Sequence, residues 1–213
     1  VESPGGVVHG YGLAASQLQR IRSAGVPLTV AVDKVAASGG YMMACVAQRI
    51  IAAPFAVVGS IGVLAQLPNF HRLLKKHDID FELFTAGEYK RTLTLFGENT
   101  DKGREKFVEE LEQTHELFKE FVGSNRPSLD IAQVATGEVW YGSQAVQRGL
   151  VEGDDVGRAR GEAQHLHLAS RPLALNVRDP DTKRIDSYLG RQIRWASEGR
   201  GRTAGSGAAR TWS

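Results

Sequence analysis

Leu28-Thr29-Val30-Ala31-Val32, followed within a few residues by Ala37-Ser38-Gly39-Gly40-Tyr41, is the stretch on which the fold turns. The first run is short, apolar and rich in β-branched residues, which predicts a strand. The second opens a run of small, helix-compatible residues that continues to about Gln48. A strand that passes through a glycine-rich turn into a helix is the building unit of an α/β fold. It also places Ser38 at a helix start, where unpaired N–H groups and the helix dipole favour negative charge. Gly39 and Gly40 leave room for a second backbone to come close. Two readings of Ser38 stand side by side: a nucleophile aimed at an acyl group, or a helix-capping serine followed by packing glycines.

Working outward from this turn, Leu13 to Ala24 predicts an amphipathic helix with Leu13, Ala14, Leu18 and Ile21 near helical spacing, stopped by Gly25 and Pro27. Arg49 to Ala53 predicts a second strand, closed by Pro54. Ser60 to Leu67 is a further apolar stretch, and Phe70 to His77 predicts a helix. Ile79, Phe81 and Leu83 alternate with Asp80 and Glu82, which predicts a half-buried strand over Ile79 to Thr85. The longest helix is expected from about Asp101 to Val122, capped by Thr100 or Asp101, with Phe107, Leu111, Phe118 and Val122 on one face. Shorter helices are expected at Ser128 to Val134, with Ser128 as cap, and at Gln144 to Arg148, ended by Gly149. Strands alternating with helices point to an α/β class with a mainly parallel sheet flanked by helices.

The totals are consistent with one domain, or one domain plus an appendage. The 213 residues are 42% apolar and 23% charged, ordinary for a globular protein that buries a sizeable core. A net charge of +2 argues against a whole-surface nucleic-acid binder. That figure hides an asymmetry, since Arg158 to Ser213 holds 11 Lys+Arg against 5 Asp+Glu and the rest is net acidic. The organisation expected is a main domain over 1–153, a divergent C-terminal segment over 154–198, and a Gly/Ala/Ser/Arg-rich tail over 199–213 expected to be disordered. With a single cysteine, Cys45, no internal disulfide forms; its neighbours Met43, Ala44 and Val46 mark it as a small core residue. No run approaches the ~20 apolar residues of a membrane helix. The start at Val1, running at once into Ser3-Pro4-Gly5-Gly6, reads as a start inside a domain, with any membrane anchor upstream.

Three more motifs bear chemistry. Gly87-Glu88-Tyr89-Lys90 ends an apolar run and places a lysine on a loop 52 positions after Ser38. A lysine used as a general base must be neutral, and bringing the usual ~10.4 to near 7 costs about 4–5 kcal/mol, which burial or a neighbouring cation such as Arg91 would supply. The alternative is a solvated Lys90-Arg91 pair. Ser3-Pro4-Gly5-Gly6 is either a plain turn or a source of N–H groups for an oxyanion. Gly59-Ser60-Ile61-Gly62 puts a third hydroxyl in a tight apolar turn. The six histidines show no metal-ligand spacing, and neither a metal nor a cofactor is expected.

Taken in order, Glu2-Ser-Pro-Gly-Gly6, Ala36-Ala-Ser-Gly-Gly-Tyr41, Val58-Gly-Ser-Ile-Gly-Val63 and Gly87-Glu-Tyr-Lys90 resemble the signature blocks of the signal peptide peptidase A family of Ser-Lys peptidases. Lys90 to Leu95, Gly97 to Thr100, Arg126 to Ile131 and Val134 to Glu138 are similar to its inner-membrane branch, so the resemblance runs over residues 1 to about 153. The resemblance implies a ClpP/crotonase-like fold and a serine endopeptidase acting on peptides or small proteins. It implies Ser38 as nucleophile, Lys90 as general base, Gly39 with Gly6 or Gly5 as the oxyanion hole, and Ser60 as support for Lys90. It also implies a homo-oligomer, in a family where Ser and Lys of one site can come from neighbouring protomers or repeats as well as from one chain, held at the bacterial inner membrane by a segment outside this chain. Two other functions share the fold: crotonase-type acyl-CoA chemistry, which uses the oxyanion hole without a serine nucleophile, and a non-catalytic assembly module.

Overall fold

The computed structural model describes residues 1–154. The 154–198 and 199–213 segments expected from the sequence lie, apart from Asp154, outside the described residues. Helix α1 (Val8–Ser23) leads into β1 (Thr29–Val32), β2 (Val35–Ala37) and α2 (Gly39–Ala44). Strands β3 (Arg49–Ala52) and β4 (Val57–Gly59) follow, then α3 (His71–Lys76) and the long α4 (Asp101–Asn125). The chain closes with α5 (Ile131–Val134), β5 (Val139–Tyr141) and α6 (Gly142–Gln147).

The class is α/β, as expected, and the pairing is mainly parallel. β1 runs parallel to β3, with Thr29 opposite Arg49 and Val32 opposite Ala52. β2 runs parallel to β4, with Val35 opposite Val57 and Ala37 opposite Gly59, and β5 closes that sheet antiparallel to β4. Ser3 adds a parallel bridge to Ala36 on the free side of β2. The N-terminal residues therefore reach the sheet next to the strand that delivers Ser38. Apolar side chains decide the arrangement: Val32, Ile50, Ile51, Val58 and Ile61 are fully buried, as is every residue of α2. Each large side chain so buried contributes about 1.5–3 kcal/mol.

Several expectations are corrected. Ile79 to Thr85 is not a strand; it is exposed throughout, because a strand needs a neighbouring edge and none pairs with it among the described residues. β2, β4 and β5 have three residues each, too few for alternation to show. α1 begins at Val8, and Tyr11, Ala15 and Leu18 face the core while Leu13 is exposed. The helix after Ser128 starts at Ile131 with Asp130 preceding it. Thr100 does cap α4, its hydroxyl accepting from Gly103 N–H at 3.1 Å. In α4 Phe118 and Val122 are buried, whereas Phe107 and Leu111 are half-buried, so the helix is rooted in the core at its C-terminal end only. There Arg126 is buried, paired with the Glu152 carboxylate and donating to Ala47 O, while Glu152 also accepts from Ile50 N–H at 2.6 Å.

Candidate active site

Ser38 sits where β2 ends and α2 begins, with φ 52° and ψ −121°. A non-glycine residue in that region carries about 1–3 kcal/mol of strain and persists only when its surroundings fix it. They do. Ser38 N–H donates to Gly59 O at 2.8 Å, and Ser38 O accepts from Met42 N–H at 2.9 Å. One residue earlier, Ala37 N–H donates to Ser3 O at 3.0 Å, while Ser3 N–H donates to Val35 O at 2.9 Å. The hydroxyl makes no capping bond, and no other hydrogen bond engages it among the described residues. The capping-serine reading therefore fails: the backbone holds Ser38 in a strained turn and leaves Oγ uncommitted.

The glycines around it have steric reasons. Gly5 has φ +96°, and a Cβ there would lie 2.7 Å from Ser38 Cβ and 2.8 Å from Gly39 N, filling the space in front of the helix start. A Cβ on Gly39 would lie 2.3 Å from Tyr11 Cγ, and one on Gly40 would lie 2.3 Å from Ser3 O. Turn Ser3–Gly6 is thus pressed against the Ser38 turn. Within it, Gly5 N–H donates to Ser3 Oγ at 3.3 Å, which leaves Gly6 N–H as the one without a partner among the described residues. Gly39 N–H, the first of α2, is likewise without one. Tyr11, which sequence reasoning passed over, holds this corner: its hydroxyl lies 2.7 Å from Ser3 Oγ and donates to Gly5 O at 3.2 Å. The one sequence signal for it was an aromatic set between Gly10 and Gly12 inside a helix.

Tyr41, three residues into the turn, donates its hydroxyl to Leu150 O at 2.8 Å and is fully buried, which drives its phenol far above the ordinary range. Cys45 closes α2, donates to Met42 O at 3.2 Å, and burial pushes its thiol up to about 12. Both groups are neutral fixtures of the helix behind Ser38.

Lys90 is placed differently. It is exposed, and among the described residues its side chain makes no hydrogen bond or ion pair, to Ser38 and Ser60 included. Its loop is docked on the start of α4 instead. Glu88 pairs with Lys102 at 2.5 Å, a hydrogen bond that holds the carboxyl below its usual value and raises the lysine, and the Tyr89 ring lies under Lys102 and Lys106 at 5.6 and 5.5 Å. Ser60, with φ 50°, donates its N–H to Glu138 O at 2.6 Å and keeps its hydroxyl unpartnered among the described residues. One chain therefore brings together Ser38, Gly39, Gly5 and Gly6, and no hydrogen bond or ion pair among the described residues links Lys90 to them. Among the described residues no cluster of His, Cys, Asp and Glu could hold a metal, and no helix is long and apolar enough to cross a membrane.

The chain is 67% identical to a probable protease SohB of Haemophilus influenzae over 90% of its own length and 53% of that protein. It is 64% identical to a probable protease SohB of Buchnera aphidicola, over 71% of this chain and 50% of that one, and 30% identical to protease 4 of Haemophilus influenzae, over 74% and 25%. The chain spans about half the length of the SohB relatives it matches. Among solved structures, an enoyl-CoA hydratase/isomerase from Marinobacter aquaeolei aligns with 90% of this chain and 60% of that one, at a TM-score of 0.41 and 12% identity. The model of peptidase family S49 matches residues 20–166, a span that contains both Ser38 and Lys90. The chain belongs to peptidase family S49.

Proposed function

We propose that this chain is a serine endopeptidase domain in which Ser38 is the nucleophile and Lys90, delivered by a neighbouring copy, is the general base. Neutral Lys90 Nζ takes the Ser38 proton as Oγ attacks the substrate carbonyl carbon. The resulting oxyanion accepts hydrogen bonds from the Gly39 and Gly6 N–H groups. The lysine ammonium returns its proton to the leaving amine, and a water deprotonated by the same lysine releases the acyl group from Ser38. The observation that carries the reading is Ser38 itself: a strained, backbone-fixed serine whose hydroxyl has no structural duty.

The exposure of Lys90 supports completion between copies rather than within one. So do the apolar side chains left exposed along the same stretch of chain, among them Leu64, Leu73, Phe84 and Tyr89, since an assembly would cover them. Substrates are peptides or small proteins of signal-peptide type, cleaved at the bacterial inner membrane, to which a segment outside this chain would hold the domain.

Mixing two inactive variants tests the reading. Ser38→Ala and Lys90→Ala should each abolish hydrolysis of a labelled casein. Co-assembled in equal amounts they should recover about a quarter of wild-type activity, the share of heterologous contacts that pair an intact serine with an intact lysine. Full activity in Ser38→Ala would discard the nucleophile, and no recovery on mixing would place the base within the same chain. Labelling of Ser38 by a fluorophosphonate separates this chemistry from the acyl-CoA alternative, which leaves the serine unmodified.

A further inference from the structure

Tyr11 is an ionisable group beside the Ser38 turn that the mechanism above does not use, buried at 3% exposure. Its surroundings are specific. Either hydroxyl of the 2.7 Å Ser3–Tyr11 pair could donate; with the tyrosine's one proton on Gly5 O at 3.2 Å, Ser3 Oγ is the donor to Tyr11 Oη. Ser3 Oγ in turn accepts from Gly5 N–H at 3.3 Å. The three bonds form a closed circuit: Ser3 hydroxyl to Tyr11, Tyr11 hydroxyl to Gly5 carbonyl, Gly5 amide to Ser3. Every donor has an acceptor, and Ser3, 1% exposed, has no access to water that could replace it.

The ring of the same residue touches both halves of the oxyanion site. A Cβ built on Gly39 would meet Tyr11 Cγ, Cδ2 and Cδ1 at 2.3 to 2.8 Å, and one built on Gly6 would meet Cε2 at 3.0 Å. One rigid side chain from α1 therefore lies against Gly39 on its inner edge and Gly6 on its outer edge, while its hydroxyl fixes the peptide between Gly5 and Gly6 from the carbonyl side. Because Gly5 O and Gly6 N–H belong to one planar peptide, fixing the carbonyl fixes the direction of the N–H.

We propose that Tyr11 is the positioning residue of the oxyanion hole. It sets the spacing between the Gly6 and Gly39 N–H groups and, with Ser3, the orientation of the Gly6 N–H. The proposal rests on the Ser38 peptidase reading and specifies which residue outside the reacting groups tunes it. Tyr11 does not touch substrate; it acts through the peptide it holds.

The test compares Tyr11→Phe and Ser3→Ala, which open the circuit from opposite sides, in the full chain. Both variants keep the ring that packs on Gly39. The expected result is a fall in kcat for peptide hydrolysis of about ten- to hundredfold, below the loss seen when an oxyanion donor is deleted outright, with KM within twofold. The inhibition constant of a peptide aldehyde, whose adduct with Ser38 carries the oxyanion, should rise by the same factor, whereas that of the matching peptide alcohol should not change. The double variant should lose no more than either single one, because both break one circuit. A lower melting temperature with unchanged kcat and unchanged aldehyde affinity in both variants would overturn the proposal and leave Tyr11 a packing residue. If Ser38→Ala retained turnover, the peptidase reading itself would fall; if Ser38→Ala were dead while both circuit variants ran at wild-type rate, only the positioning role would. Should Tyr11→Phe fail to fold, Ser3→Ala decides alone.

Discussion

The two loops that carry the proposed dyad are built on opposite plans. The Ser38 turn lies between a strand and a helix whose residues are almost all buried, and four backbone hydrogen bonds to Ser3, Val35, Gly59 and Met42 fix its course. The Lys90 loop belongs to a stretch, from about residue 64 to residue 100, with no buried residue and no sheet pairing. Charge and ring contacts at the surface, Glu88 with Lys102 and Tyr89 beneath Lys102 and Lys106, hold it to α4. Strain of the kind Ser38 carries needs the first plan, because an exposed loop would relax it. A group that must enter a neighbour's site needs the second, because a side chain packed at home cannot be lent.

That contrast breaks most readily at Gly40. Gly40→Ala sets a Cβ 2.3 Å from the Ser3 carbonyl oxygen, which cannot swing aside without tearing Ser3 from β2. The expected destabilisation is about 3 kcal/mol, or a drop in Tm of about 6–12 °C, with the loss of Ser38 labelling; a melt within 2 °C of wild type would show the turn far looser than described. Arg126→Met comes next, since it strands the Glu152 carboxylate that closes the chain over β3. A loss of about 1–3 kcal/mol in urea unfolding is expected, with Ser38 labelling kept.

The alkaline limb of stability sharpens the comparison further. The folded Cys45 thiol, at about 12, lies above its ordinary 9.0, so the folded state binds its proton more tightly than the unfolded chain. The stability this gives is present below pH 9 and lost as pH rises from 9 towards 12, at up to about 1.4 kcal/mol per unit. Tyr41 acts in the same direction. Cys45→Ala should make the fall in Tm over that window shallower, and an unchanged slope would refute burial as its origin. The smallest effect is expected at Glu88→Gln, where the pair is fully solvated: Tm should move by less than the scatter between repeats, while activity of the assembled protein falls as salt or the substitution frees the loop. If Glu88→Gln destabilised as much as Gly40→Ala, the division into a buried and a tethered half would be wrong.

The same division explains what was legible in the sequence. β1, β3 and α4 were read nearly to the residue, because β-branched runs and helical spacing mark an element's type, although the α4 face overstated burial at Phe107 and Leu111. Ser38 and its glycines were legible because a backbone forced through a tight turn selects residue types. Three-residue strands leave no such trace, and the alternation at Ile79 to Thr85 misled because period two marks a strand only where a partner edge exists. Tyr11 stayed hidden for another reason: its work depends on what Ser3, Gly5 and Gly39 place around it, and a lone tyrosine in a helix announces none of that.

Helix α4 joins the two halves, with Phe118 and Val122 seated in the core beside α2 and Lys102 and Lys106 carrying the lysine loop. Its 25 residues make a rod of about 37 Å on which each added residue turns the far end by about 100° and advances it by about 1.5 Å. The helix is therefore a ruler with a phase as well as a length. Inserting a single alanine near Gln113 would leave the seated end in register and swing the Glu88 and Tyr89 docking face to another side of the molecule. Four inserted residues, close to one full turn, would restore the direction and alter only the reach.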